Sequence, residues 1–131
     1  MRFLTIVSVM AMALLWGTGA ALAQEKAEVT EKLKTALAAA EGNEIIVKHY
    51  NVPPGWVTPK HYHSGHVVLY IEEGSGAMDI EGEVRQGQGG DVLQALPKEV
   101  MVMRNTSDSE RLKFVVFQVN PEGSPYIVKA E

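Results

Sequence analysis

Residues Gly55–Gly74 read GWVTPKHYHSGHVVLYIEEG, and the fold turns on this stretch. His61 and His63 stand one residue apart among β-branched and aromatic side chains. Side chains two apart along a strand project to the same face, about 6–7 Å from one another. Two imidazoles so placed can turn toward one ion, and neutral imidazole is the commonest protein ligand for transition metals. His66 follows Ser64-Gly65, and Gly74 closes the segment at a turn. All four histidines of the chain fall between His49 and His66, so the chemistry concentrates here.

Outward from this stretch the hydrophobic period is two. Glu44–Tyr50 alternates as a strand, with Ile45, Val47 and His49 sharing a face. Val52-Pro53-Pro54-Gly55 is a turn. Trp56–His63 and His66–Ile71 follow as strands, and Ala77–Ile80 with Glu83–Arg85 form a hairpin around Gly82. Val92–Ala95, Val100–Arg104 and Leu112–Val119 complete the set, and Tyr126–Val128 adds an edge. Short strands broken by Gly, Pro or Asn every eight to twelve residues predict an antiparallel sandwich or small barrel. Arg104 and Arg111 are expected to pair with Asp108 or Glu110 in the loop between the last two long strands.

The spacing of Gly55, His61, His63 and Gly74 resembles the first signature of the cupin superfamily, G-x5-H-x-H-x3-4-E-x6-G. Val67 stands where that signature carries an acid. Gly90–Asn105, GDVLQALPKEVMVMRN, resembles the second signature through Gly90, Pro97 and Asn105. Met101 stands where its histidine belongs, and Asp91 after Gly90 reads as a turn former. The resemblance covers roughly Ile45–Val119. It implies an all-β, double-stranded β-helix (a jelly-roll barrel) spanning residues 43–131. It also implies that His61, His63, Val67 and Met101 converge inside that barrel, and that two copies of the chain pair as a homodimer.

The N-terminus has a different composition. Met1-Arg2, an apolar run from Phe3 to Trp16 and the ending Ala21-Leu22-Ala23 describe a secretory signal peptide over residues 1–23. The run is too short to remain as a stable membrane span. Cleavage there leaves 108 residues starting at Gln24, in the periplasm or outside the cell. Glu25–Ala40, EKAEVTEKLKTALAAA, repeats Val29, Leu33, Ala36, Leu37 and Ala40 at helical spacing, and Gly42 suits a C-terminal cap. An α-helix over residues 24–42 is therefore expected ahead of the barrel. With no cysteine, no disulfide supports the fold and no thiolate serves as ligand or nucleophile. A net charge of −4 gives no electrostatic case for nucleic acid.

The ligand set implied by the resemblance is soft. Hard cations want oxygen donors, and two-His-one-carboxylate iron sites need the acid that Val67 replaces. Two imidazoles and a thioether lean toward copper, particularly Cu(I). Zinc, nickel, iron and manganese stay open, as does a metal-free pocket for a small molecule. Strict alternation points His66 away from His63, while a bulge at Ser64-Gly65 would bring it in as a further ligand. His49 reads as a hydrogen-bonded core residue, and Met78 and Met103 read as core fillers. Lys60 and Tyr62 flank the histidines on the opposite face. No hydrolase, nucleotide-binding or thiol signature is present, so no catalytic residue is identified. Three functions follow: an exported, non-catalytic cupin that binds a metal or small molecule, a metal-dependent enzyme of the oxygenase, isomerase or lyase kind, or a scaffold whose barrel is simply filled by side chains.

Overall fold

The computed structural model describes residues 25–131. The expected leader, residues 1–23, and Gln24 lie outside the described residues. The strands are β1 Glu28–Ala36, β2 Asn43–Val52, β3 His61–Tyr62, β4 His66–Glu73 and β5 Ser75–Ile80. They continue as β6 Glu83–Gln88, β7 Val92–Ala95, β8 Met101–Asn105, β9 Leu112–Pro121 and β10 Val128–Lys129. One sheet has the order β1-β2-β9-β4-β7 and the other β10-β3-β8-β5-β6, with antiparallel pairing between the registered neighbours. Among the described residues, no helix is long and apolar enough to cross a membrane.

Period-two patterning builds the core between the two inner faces. Leu112, Phe114 and Val116 of β9 and Val67, Leu69 and Ile71 of β4 are buried from one sheet. Met78, Ile80, Met101 and Met103 of β5 and β8 face them from the other. Burial of each such side chain contributes about 1.5–3 kcal/mol. Tyr50 stacks on Phe114 with centroids 4.6 Å apart, and Trp56 packs tilted against the same ring. Gly65 permits the β3–β4 link to cross against β9, since a Cβ there would collide with the Val119 carbonyl. Gly74 turns β4 into β5 at φ 88°, where a side chain would be strained.

The expected N-terminal helix over 24–42 is not what forms. Residues 28–36 are β1, paired to β2 from Glu28↔Asn51 to Ala36↔Glu44 with an irregularity between Glu31 and Leu33. The first sheet thus begins inside the segment read as a helix. Helix propensity is a weak prior, and an isolated helix of this length is marginal in water. The open edge of β2 offers backbone donors and acceptors that a detached helix would leave to solvent. Glu28, Glu31, Lys32 and Lys34 then charge the new edge, which discourages further strand addition. Gly42, at φ 81°, serves the turn from β1 into β2, where Asn43 donates to the Ala40 carbonyl.

Two smaller corrections concern strand length and ion pairing. The strand expected over Trp56–His63 shrinks to His61–Tyr62 plus a lone Val57↔Arg104 bridge. Pro59 has no N–H for the ladder, and the Thr58 hydroxyl instead accepts from the Met103 N–H at 2.9 Å. Arg104 pairs with Asp79 at 2.9 Å, and Arg111 donates to Asn51 at 2.7 Å. Neither takes Asp108 or Glu110, because each lies opposite an acceptor on a neighbouring strand.

Candidate metal and ligand site

Alternation along 61–63 turns Tyr62 aside and drives both histidines inward. His61 is 4% exposed and His63 6%. Their ring centroids are 5.1 Å apart and the planes meet at 76°. Each ring uses the same nitrogen to anchor itself. His61 Nδ1 donates to the Pro59 carbonyl at 2.7 Å. His63 Nδ1 donates to Gln118 Oε1 at 2.8 Å and to the Tyr126 carbonyl at 2.9 Å. A carbonyl can only accept, so each Nδ1 carries the proton and each Nε2 keeps a lone pair.

Burial drives both imidazoles toward their neutral forms. His61 is lowered by burial, partly offset by its bond to the Pro59 carbonyl. His63 falls to about 4, first through burial and then through repulsion from His61 and Lys48. Its bonds to Gln118 and the Tyr126 carbonyl pull the other way. Both rings are therefore neutral near pH 7, the state in which imidazole is a ligand.

The histidines line a cavity of about 160 Å³ whose opposite wall is apolar. Met101 is the direct cross-strand partner of His61 and lines the same space. Met78 and Met103, themselves register partners, add two more thioethers. Val67 lies buried in the acid position and also faces the cavity. His66 does not join this group. It precedes the inward Val67 on β4, and its Nε2 hydrogen-bonds Gln94 at 3.1 Å on the outer side of the sheet. No bulge at Ser64-Gly65 turns His66 in, so the alternation rule prevails. His49 also faces outward, with Ile45 and Val47, and meets Glu72 at 3.2 Å rather than sitting in the core.

The side chains suit a soft cation. Two imidazoles bound to one tetrahedral ion through nitrogens at about 2.0–2.1 Å place their centroids about 5 Å apart, close to the 5.1 Å observed. The Nδ1 anchors are the outer-shell carbonyl bonds that metal-binding histidines ordinarily make. A hard cation fits poorly, because no carboxylate lines the cavity. Among the described residues, no three His, Cys, Asp or Glu side chains cluster as a site either.

Several residues of the site escaped sequence reasoning. Tyr50 and Tyr126 meet through their hydroxyls at 2.8 Å, and burial raises the pKa of both phenols. Tyr126 also packs edge-on against His63, with the Lys48 ammonium 3.8 Å from its ring centroid. Nothing local in the sequence marks Tyr126, because its segment approaches the site through a loop. Gln118 and Asn120 did leave a signal: they occupy the buried phase of β9 directly after Phe114 and Val116.

Comparison with known proteins agrees with this architecture. The family described as "Cupin domain" matches residues 48–118. An uncharacterized conserved protein with a double-stranded β-helix domain from Klebsiella pneumoniae is similar at 22% identity and TM-score 0.62, covering 83% of this chain and 88% of that one. An RmlC-like cupin family protein from Methanocaldococcus jannaschii has 21% identity and TM-score 0.62, over 75% of this chain and 84% of its own. A DMSP lyase from Ruegeria pomeroyi has 17% identity and TM-score 0.57, over 66% of this chain and 43% of its own. No curated protein matches the sequence. At these identities the likenesses establish the fold.

Proposed function

This chain belongs to the cupin family, and from that premise we propose that it binds a soft transition metal, copper(I) foremost, through His61, His63 and Met101. The observation that carries the reading is the shared orientation of the two imidazoles: each Nδ1 is pinned to a carbonyl, and each Nε2 is free. Copper(I) accepts imidazole and thioether and tolerates three ligands, whereas the acid needed for a ferrous triad is missing. Bound there, the ion would supply redox or soft Lewis-acid character to a space of about 160 Å³, well below the roughly 300–1,000 Å³ of drug-sized sites. Val67 and the aromatic residues give the cavity apolar walls, and no Asp, Glu or Lys lines it as a general base. These features favour binding or storage over the alternative of a metal-dependent oxygenase, isomerase or lyase. Metal analysis of untagged native protein tests the reading. It predicts about one copper per chain; protein that arrives metal-free and takes up none of Cu, Zn, Ni or Fe contradicts it.

The leader at residues 1–23 supports export, which suits a copper handler that has no cysteine to oxidise. Pairing of two copies is supported by the outer face of the first sheet. Phe117 lies between Val47 and Val68 in register, and Val119 lies beside Ile45. Phe117, Val68 and Tyr70 are each exposed by more than a third. An apolar patch of this kind on an antiparallel sheet suits an isologous contact.

A further inference from the structure

A buried polar column behind His63 has no part in holding the fold's apolar core. Gln118 and Asn120 are 0% exposed and Glu44 is 7%. They run from behind His63 toward the start of β2, where Glu44 and Asn120 are register partners. Burying two amides and a carboxylate costs free energy unless each is bonded, and apolar side chains in this phase of β9 would pack without that requirement.

The bonds share one direction. A carboxylate can only accept, so Asn120 turns its amide nitrogen to Glu44 Oε1 at 3.3 Å. The Pro121 and Ser124 carbonyls accept from the same nitrogen at 3.2 and 3.0 Å. Asn120 Oδ1 is thereby left facing Gln118, which donates to it from Nε2 at 2.9 Å. Gln118 Nε2 also donates to the Tyr126 carbonyl at 3.0 Å. Gln118 can then offer His63 only its oxygen, at 2.8 Å. Only a proton on Nδ1 satisfies that oxygen.

We propose that Gln118, Asn120 and Glu44 are positioning residues that fix His63 in its Nδ1–H tautomer, with the Nε2 lone pair aimed into the cavity. The column sets the polarity of each amide in turn, from Glu44 to the ring. His61 has no such column and relies on the Pro59 carbonyl alone, whereas His63 Nδ1 divides its proton between Gln118 Oε1 and the Tyr126 carbonyl at 2.9 Å, so His61 serves as an internal control for the contribution of Gln118. The proposal builds on His63 as a ligand, but the tautomer is a property of the metal-free protein and is measured without metal.

The test is a long-range ¹H–¹⁵N correlation spectrum of the imidazoles in metal-free protein, near neutral pH. Unsubstituted protein should show Nδ1–H at both His61 and His63. Gln118→Leu leaves the Tyr126 carbonyl as the one remaining acceptor on Nδ1, so it should move a minor but resolvable fraction of His63 to the Nε2–H form and leave His61 unchanged. Gln118→Glu, which keeps an acceptor at that place, should restore the Nδ1–H pattern. Copper(I) affinity should fall about 10–100-fold in Gln118→Leu, the usual cost of losing an outer-shell partner. Should that variant not fold, Glu44→Gln gives a smaller shift in the same direction. An Nε2–H form at His63 in unsubstituted protein overturns the proposal, and so does a folded Gln118→Leu with its His63 pattern unchanged. If the tautomer responds as expected while neither protein binds copper(I), the column stands and the metal reading falls.

Discussion

The chain carries two pairs of histidines within eighteen residues, and the fold treats them oppositely. His61 and His63 are buried, anchored through Nδ1 and free at Nε2. His49 and His66 lie on the outer face of the first sheet and spend Nε2 on Glu72 and Gln94. Residue type is the same for both pairs, although His61 and His63 are two residues apart and His49 and His66 seventeen. The difference is strand phase, which sends one pair into an apolar-walled cavity and the other to the outer face. A histidine count therefore says little about a metal site until the phase is known.

The strongest way to break this comparison is to remove each pair in turn. His61→Ala with His63→Ala should abolish copper(I) uptake in a competition titration, while His49→Ala with His66→Ala should leave it within about twofold. Equal losses from both would mean that the inner site is not where copper goes.

Acid stability sharpens the same contrast. In the metal-free fold His63 titrates at about 4, below its ordinary 6.5. The unfolded chain binds that proton first as the pH falls, so the stability is complete above pH 6.5 and is lost between 6.5 and about 4. The loss should be about 3 kcal/mol from His63 alone, and His61, lowered for the same reason, adds to it in the same direction. Urea unfolding from pH 7 to 4 reads this slope. His63→Gln should flatten it, and substitution of the outer pair should not.

Smaller effects are expected at the sulfur and on the outer face. Met101→Leu conserves volume and should keep stability within about 1.5 kcal/mol, while weakening copper(I) by roughly tenfold and zinc hardly at all. Unchanged copper(I) affinity would reduce Met101 to a packing role. Phe117→Glu places a charge in the apolar outer patch and should convert dimer to monomer in sedimentation, with the copper site intact. A protein that is monomeric before the substitution removes the case for pairing.

Most strands were legible because their alternation was uninterrupted. β7 runs over Val92–Ala95 as expected, and β4, β8 and β9 differ from expectation by a few terminal residues. The inward course of His61 and His63 was legible for the same reason. β1 was not, since helix formers at helical spacing gave a local signal that strand pairing to β2 overrode. His66 was ambiguous because Gly65 allows a bulge, and only the path of β4 against β9 decides its phase. Gln118 and Asn120 announced themselves as polar residues in an apolar phase, but their link to His63 crosses fifty-five residues of chain and needs the folded register. Tyr126 was read only as the start of an edge strand over Tyr126–Val128; that strand is Val128–Lys129, and a loop, not a period, brings Tyr126 to the site.

X-ray absorption of the copper(I)-loaded protein puts the site itself to the question. Two imidazole nitrogens and one thioether sulfur around each copper is the predicted result, with the imidazole scattering lost when 61 and 63 are replaced. A copper surrounded by oxygen, or an unaltered spectrum after that replacement, would contradict the account.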